Sequence, residues 1–166
     1  SITSISLSHG NEKLQNYFSY ANTTGHGIIG KHNLSKHNLT FRETSVLLNS
    51  RLKLDGSMNL MRQVVKNKPT VGGFYMNPLV GLYRFPRGED IAYYKENFEV
   101  YDEGRNLNIQ NWHTSYEDFE QNPYWITNRI LSKENRMHVI VSLSANLKIN
   151  DWLSLQARGN VDYIND

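Results

Sequence analysis

Met137-His138-Val139-Ile140-Val141-Ser142-Leu143-Ser144-Ala145-Asn146-Leu147-Lys148 decides the fold class. Successive side chains of an extended chain point to opposite sides. Met137, Val139, Val141, Leu143, Ala145 and Leu147 therefore share one face, and His138, Ile140, Ser142, Ser144, Asn146 and Lys148 share the other. Asn150-Asp151 supplies a turn, after which Leu153, Leu155, Ala157, Val161 and Tyr163 alternate with Ser154, Gln156, Arg158, Asn160 and Asp162. The pattern predicts a β-hairpin over residues 136–164 with one apolar and one polar face. Each arm runs about 11–12 residues, against the usual 5–6 of a strand in a globular domain.

Residues 2–66 repeat the design. Residues 2–9 and 14–22 flank a turn at Gly10-Asn11-Glu12, and Tyr17, Ser19 and Ala21 oppose Phe18, Tyr20 and Asn22. A glycine-rich link follows, Thr24-Gly25-His26-Gly27 and then Gly30. Residues 36–48 and 52 to about 66 flank a second turn at Asn49-Ser50. In the last of these strands Leu52, Leu54, Met58 and Leu60 lie opposite Lys53, Asp55, Ser57 and Asn59. The expectation is an all-β chain of about six antiparallel, up-and-down strands in three hairpins. Residues 67–135 interrupt them with no sustained period, yet hold most of the aromatic side chains. Unpatterned connections beyond about 12–15 residues are functional or disordered. Disordered segments are poor in aromatics, so one very long ordered loop is expected.

Alternation alone leaves two classes open. A β-sandwich strand also turns a polar side to water. A strand that crosses an outer membrane needs about 9–11 residues at a tilt, and such barrels alternate short turns with long loops. Here the short turns at residues 10–11, 49–50 and 150–151 fall at every second connection.

Bulk properties exclude several functions. The 166 residues are about one domain's worth, and acids and bases are interspersed to a net charge of +2. No basic run favours nucleic acid. There is no cysteine, hence no disulfide framework and no thiolate metal site. No apolar run reaches the roughly 20 residues of a membrane helix, and no signal peptide is visible. The mean hydropathy of −0.59 does not count against a barrel, because alternation keeps that average low. The chain opens on Ser1, with residues 2–9 already strand-like, which suggests a piece of something longer.

The loop carries a resemblance. Asn77-Pro78-Leu79-Val80-Gly81-Leu82-Tyr83-Arg84-Phe85-Pro86-Arg87-Gly88 and Gln121-Asn122-Pro123-Tyr124-Trp125-Ile126-Thr127-Asn128-Arg129 resemble segments of the SusC/RagA family, TonB-dependent outer-membrane transporters of Bacteroidetes. Gly10-Asn11-Glu12-Lys13, Lys36-His37-Asn38-Leu39-Thr40-Phe41-Arg42 and Leu54-Asp55-Gly56-Ser57-Met58-Asn59 are similar to the same family, in the same order. The resemblance implies a partial transmembrane β-barrel: strands 2–66, an extracellular loop 67–135 and a hairpin 136–164. Family members have an N-terminal plug inside a barrel of about 22 strands. No plug, TonB-contacting segment or closing strand is recognisable in this chain. The implied function is import of a nutrient, a glycan or oligosaccharide above all, across a bacterial outer membrane. The implied mechanism is capture between barrel loops and a SusD-like surface lipoprotein lid, then plug displacement driven by the TonB complex. The implied partners are that lipoprotein, the TonB complex through the missing N-terminal part, an oligosaccharide or peptide substrate and outer-membrane lipid. The alternative is a soluble all-β carbohydrate- or protein-binding module.

No catalytic residue, metal ligand or cofactor is expected. His32 and His37, five apart, fall on opposite faces if both lie on a strand. The acid pairs Glu89-Asp90, Asp102-Glu103 and Glu117-Asp118 are adjacent and point apart, unlike the facing carboxylates of glycosidases. Arg87, Arg105 and Arg129 are expected to pair with Asp90, Glu103 or Glu117. Tyr and Trp offer flat amphipathic surfaces for sugars or proteins. Tyr93, Tyr94, Tyr101, Trp112 and Tyr116 are therefore the candidate ligand- or partner-binding residues, while Tyr124 and Trp125 are expected to pack internally. Tyr17, Phe18, Tyr20 and Tyr163 stand near strand ends, where barrels carry aromatic girdles.

Overall fold

The computed structural model describes residues 1–73, 75–114 and 120–166. In chain order its elements are β1 (Ile2–Gly10), β2 (Leu14–His26), β3 (Asn33–Leu47), β4 (Leu52–Lys66), α1 (Pro78–Arg84), α2 (Ile91–Glu96), β5 (Glu99–Asp102), β6 (Leu107–Gln110), α3 (Pro123–Arg129), β7 (Lys133–Lys148) and β8 (Ser154–Asn165). Six strands form one sheet in the order β1-β2-β3-β4-β7-β8, and β5 pairs with β6 in a separate two-stranded sheet. The fold is all-β, with three short helices among the described residues. The chain divides into two compact units: residues 1–25, 34–64 and 134–166 form the first, and residues 26–33 and 65–133 the second.

The first unit is the large sheet. Its outer hairpins keep together the side chains that alternation assigned to each face. Val139 faces Tyr163, Val141 faces Val161, Ala145 faces Ala157 and Leu147 faces Leu155, while Ser142 faces Asn160 and Ser144 faces Arg158. A directly opposed pair shares a face, so the apolar and polar stripes of β7 continue onto β8, the apolar one interrupted where Leu143 faces Gly159 and Met137 faces Asn165. In β1 and β2, Ile5 faces Tyr20 and Leu7 faces Phe18 on one side; Ser6 faces Ser19 and Ser8 faces Tyr17 on the other. The short turns are built by local side-chain chemistry. Asn11 Oδ1 accepts from the N–H groups of Lys13 and Leu14 at 2.8 and 3.0 Å, and Asn150 Oδ1 accepts from Trp152 N–H at 3.2 Å. A Cβ on Gly10 would sit 2.3 Å from Leu14 O, so the first turn needs glycine. Leu48, Asn49 and Ser50 turn the third strand into the fourth with left-handed backbone, φ 52°, 52° and 67°.

No described residue of this sheet is buried. The strands run 9 to 16 residues, yet nothing covers Ile5, Leu7, Leu143, Leu155 or Val161, each at least 60 % exposed. The outer strands β1 and β8 are exposed throughout and present unpaired edges. The buried hydrophobic residues, Trp112 and Ile126, both belong to the second unit.

The strand boundaries differ from the sequence reading in an informative way. The glycine-rich link is largely strand: β2 continues to His26, with Gly25 against Leu34, where a Cβ would lie at an ordinary 3.6 Å. The third strand starts at Asn33, three residues early. The turn between them is tight, with Gly27 N–H donating to His32 O at 2.8 Å and Lys31 in a left-handed conformation. His32 therefore lies in a turn, not on a strand, so the opposite-face argument for His32 and His37 does not apply.

The unpatterned loop is also structured. Its helices of six or seven residues and strands of four are shorter than the windows over which periodicity registers.

Candidate functional site

The two proline motifs of the second unit are helix starts. Asn77 and Asn122 are N-caps, each followed by proline in the first turn, where a missing N–H costs nothing. Asn77 Oδ1 accepts from Leu79 N–H at 3.0 Å and Asn122 Oδ1 accepts from Tyr124 N–H at 2.8 Å. The helices they begin, α1 and α3, pack on each other. A Cβ on Gly81 of α1 would fall 2.3 Å from Gln121 O, just ahead of α3, so only glycine permits this approach.

Asn122 is the hub of the unit. It is 0 % exposed, and its Nδ2 donates to Tyr94 O at 2.9 Å and Asn111 O at 2.7 Å. Its backbone N–H donates to Gln110 Oε1 at 3.0 Å. One side chain thereby ties α3 to the end of α2 and to the strand β6 exit. The sequence reading treated this residue only as motif; an asparagine before Pro-Tyr-Trp was the available cap signal.

An aromatic cluster grows beside this hub. Trp112, 8 % exposed, lies 5.1 Å from Phe85, 5.3 Å from Tyr94 and 5.0 Å from His113 between ring centroids. Tyr93 meets Tyr94 edge-on at 5.2 Å. The carboxylate of Glu120, its side chain 2 % exposed, stands 3.3 Å from Arg84 Nε and 2.7 Å from His113 Nε2. A buried carboxylate is tolerated where cationic or hydrogen-bonding groups meet it.

The five candidate binding residues separate. Trp112 is core, and the cluster buries it. Tyr94 is half-buried, with its hydroxyl donating to Glu89 Oε2 at 2.8 Å. That hydrogen bond, then burial, raises the Tyr94 phenol above its ordinary pKa. Tyr93 and Tyr101 are exposed, at 52 % and 59 %. Tyr101 stands on β5, its hydroxyl bonded to Asn106 Oδ1, and joins no ring contact among the described residues. Tyr116 lies outside the described residues, as do Glu117 and Asp118. Tyr124 and Trp125 are half-buried in α3.

The charged residues act as caps and clasps. Asp90 Oδ1 caps α2 by accepting from Ala92 N–H at 2.9 Å, and Asp102 Oδ1 accepts from Arg105 N–H at 3.1 Å within the β5–β6 turn. Two of the three arginines, Arg105 and Arg129, pair with acids other than those expected. Arg105 pairs with Asp102 at 3.5 Å, three residues away. Arg129 pairs with Glu99, Nε to Oε2 at 2.7 Å and Nη2 to Oε1 at 2.5 Å. This two-pronged bond joins residues 30 apart in sequence, beyond what local charge spacing could indicate. It holds the Glu99 carboxyl below its ordinary pKa.

The first unit carries a separate feature. Its polar face encloses an open concavity of about 1250 Å³ lined from both edges of the sheet, by Ser8 of β1 and by Arg158 and Asn160 of β8. The sheet therefore curls toward its polar face without closing. Tyr17 lines this concavity and, unlike Phe18, Tyr20 and Tyr163, does not belong to the apolar face. Among the described residues no group of three or more His, Asp or Glu could hold a metal ion. His37 instead meets Tyr20 Oη at 2.8 Å.

No family model matches the chain, and no curated protein matches it.

Proposed function

We propose that this chain is a wall segment of a SusC-like, TonB-dependent importer in a bacterial outer membrane. Its uncovered apolar face would meet lipid, and its polar face would meet the interior of the barrel. The observation that carries this reading is the contrast between the two faces of one curled sheet. Long strands present Ile5, Leu7, Leu143, Leu155 and Val161 outward with nothing over them, while the opposite face is concave and polar. In water an uncovered face of this kind forfeits about 25 cal/mol for every Å² of apolar area left wet. A soluble binding module would have to bury that face, and no described residue of the sheet is buried.

Connectivity supports the same reading. Val46 N–H donates to Lys13 O and Lys148 N–H to Arg51 O, each at 2.7 Å, so the three short turns neighbour one another at one end of the sheet. The two remaining connections, residues 26–33 and 65–133, belong to the second unit. Only the insertion between β4 and β7 is long, since the β2–β3 connection is itself a tight turn, and a long loop set among short turns is a feature of outer-membrane barrels. Trp152, 82 % exposed in the last short turn, suits the membrane–water boundary. On this reading the second unit is extracellular, and its exposed Tyr93 and Tyr101 face the substrate or a SusD-like lipoprotein lid. The substrate is an oligosaccharide, and TonB acts through a part of the protein outside this chain.

Fractionation of cells that make the full protein tests the proposal. It should sediment with outer membranes and resist extraction by alkaline carbonate. Recovery in the aqueous fraction, with oligosaccharide binding retained, would instead establish a soluble binding module.

A further inference from the structure

We propose that the apolar face of the sheet carries, at the end away from the short turns, a binding site for the phosphate of a phosphorylated glycolipid, centred on Arg62. The inference rests on the reading of this face as the lipid side of a barrel wall.

Polar side chains interrupt that face along one band, all within the first unit. Tyr20 and Asn22 belong to the face of Ile5, because they oppose Ile5 and Thr3 across the β1–β2 ladder. His37 stands among them, with Nδ1 2.8 Å from Tyr20 Oη and 3.4 Å from Asn22 Nδ2, and Nε2 3.3 Å from Ser35 Oγ. On the other side of the sheet Thr44 Oγ1 donates to Asp55 and Asn59 Nδ2 donates to Thr40, two bonds that fix one register for β3 and β4. Carried on along both strands, that register sets His37 opposite Arg62. Arg62 Nε donates to Asn135 Oδ1 at 3.4 Å, which brings β7 into the same band.

The band marks where the apolar stripe stops. On β4 Leu52, Leu54, Met58 and Leu60 precede Arg62 on one face, and on β7 Met137, Val139 and Val141 follow Asn135. From Leu52 to Arg62 the strand rises about 33 Å, or about 25 Å along the membrane normal at a tilt of about 40°. About 25 Å is also the height of the apolar band of an outer-membrane barrel. Leu52 adjoins a short turn, so Arg62 falls at the opposite lipid boundary, at headgroup depth. An outward arginine is costly in mid-bilayer and nearly free at this boundary.

Charge selects the ligand. Arg62 is exposed and forms no ion pair among the described residues. Its bond to Asn135 uses Nε alone and leaves both Nη groups open, the fork that takes a phosphate. Glu43, an acid of the same face, lies far along β3 toward the short turn, where it accepts from Ser45. The amides of Asn22 and Asn135 and the hydroxyl of Ser35 are neutral partners suited to sugar hydroxyls. A lone cation among such groups matches a phosphate carried on a sugar headgroup.

The test is lipid competition at the surface of the full protein, cleared of any other cysteine and carrying a fluorophore at Val139→Cys, close by on β7. In phosphatidylcholine vesicles the fluorophore meets nitroxide-bearing phosphatidylcholine, phosphatidylglycerol, diphosphoryl lipid A or dephosphorylated lipid A. Quenching by the phosphatidylcholine probe judges the barrel reading; its absence would overturn that reading and this inference together. With that quenching present, diphosphoryl lipid A should be enriched about fivefold over phosphatidylcholine, the scale of one cation beside an anionic surface. Dephosphorylation should abolish the enrichment. Arg62→Gln should bring it near parity while leaving the phosphatidylcholine quenching unchanged, a control that damage to the fold would not pass. Four outcomes would overturn this proposal alone: no enrichment, equal enrichment of phosphatidylglycerol, enrichment kept in Arg62→Gln, or its loss in millimolar inorganic phosphate, which would mark a site for the free ion.

Discussion

Asn67 and Ser132 close the neck of the inserted unit. Asn67 N–H donates to Ser132 O at 2.8 Å, and Ser132 N–H donates back to Asn67 Oδ1 at 3.0 Å. Asn67 has φ 52°, a left-handed conformation that asparagine tolerates better than most residues. Its Nδ2 also reaches Lys31 O at 3.0 Å, and Lys31 Nζ reaches Asn128 Oδ1 at 2.6 Å. One asparagine thus ties both ends of the insertion to the turn between β2 and β3. Asn67→Gly should retain the backbone conformation but lose these side-chain bonds, and Asn67→Val should lose both. Hydrogen exchange at Ser132 N–H should accelerate in both variants, more in Asn67→Val; unchanged exchange would contradict the clasp.

Asn122 and Asn77 make a graded pair. Both are N-caps, and loss of a cap costs about 0.5–2 kcal/mol. Asn77 makes one further side-chain bond, Nδ2 to Gly72 O at 2.7 Å, whereas Asn122 makes two and is fully buried. Each buried carbonyl left unsatisfied adds about 1–3 kcal/mol. Asn122→Ala should therefore destabilise the unit by roughly 3 kcal/mol or more, and Asn77→Ala by roughly half that. Equal costs in denaturant-dependent exchange would remove Asn122 as the hub.

Gly81→Ala probes the α1–α3 contact. The added methyl would meet Gln121 backbone oxygen, which has no side-chain freedom with which to yield. Overpacking of this kind costs about 1–3 kcal/mol. Gly88→Ala, where a Cβ would meet nothing within 4 Å, serves as the control and should cost far less.

The Arg129–Glu99 pair gives the unit a pH dependence on the acid side. Arg129 holds the Glu99 carboxyl below its unfolded value. A lowered folded pKa stabilises above the unfolded carboxylate pKa, near 4.3–4.5, and that contribution is lost as pH falls through the lowered value. Exchange protection around β5 and α3 should thus decline below about pH 4. In Glu99→Gln the decline attributable to this pair should be absent. A variant with the same acid profile as the parent would show that the pair is inert.

Much of the sheet was legible in the sequence because one rule governs it. The alternation of Met137 to Leu147 has period two, and the register that opposes Val141 to Val161 follows from it and from one short turn. The curl of the sheet was not legible, since it depends on several strands together. The insertion was legible only as a composition. Its helices are too brief for periodicity, and its organisation rests on Asn122 reaching Tyr94 and on Arg129 reaching Glu99, contacts 28 and 30 residues apart. Trp112 was read as a candidate contact because aromatic type does not reveal burial. Phe85, Tyr94 and His113 make it core.

The central claim is that one face of the large sheet meets lipid and the other does not. These 166 residues contain no cysteine, so in a full protein cleared of any other cysteine single cysteines can be placed at residues 139, 141, 143 and 161 on one face, and at 142, 144, 158 and 160 on the other. In outer membranes containing the full protein, the first set should resist a membrane-impermeant maleimide, and attached fluorophores should be quenched by nitroxide-bearing lipid. The second set should escape that quenching. Equal maleimide reactivity of both sets, with no lipid quenching of the first, would contradict the account.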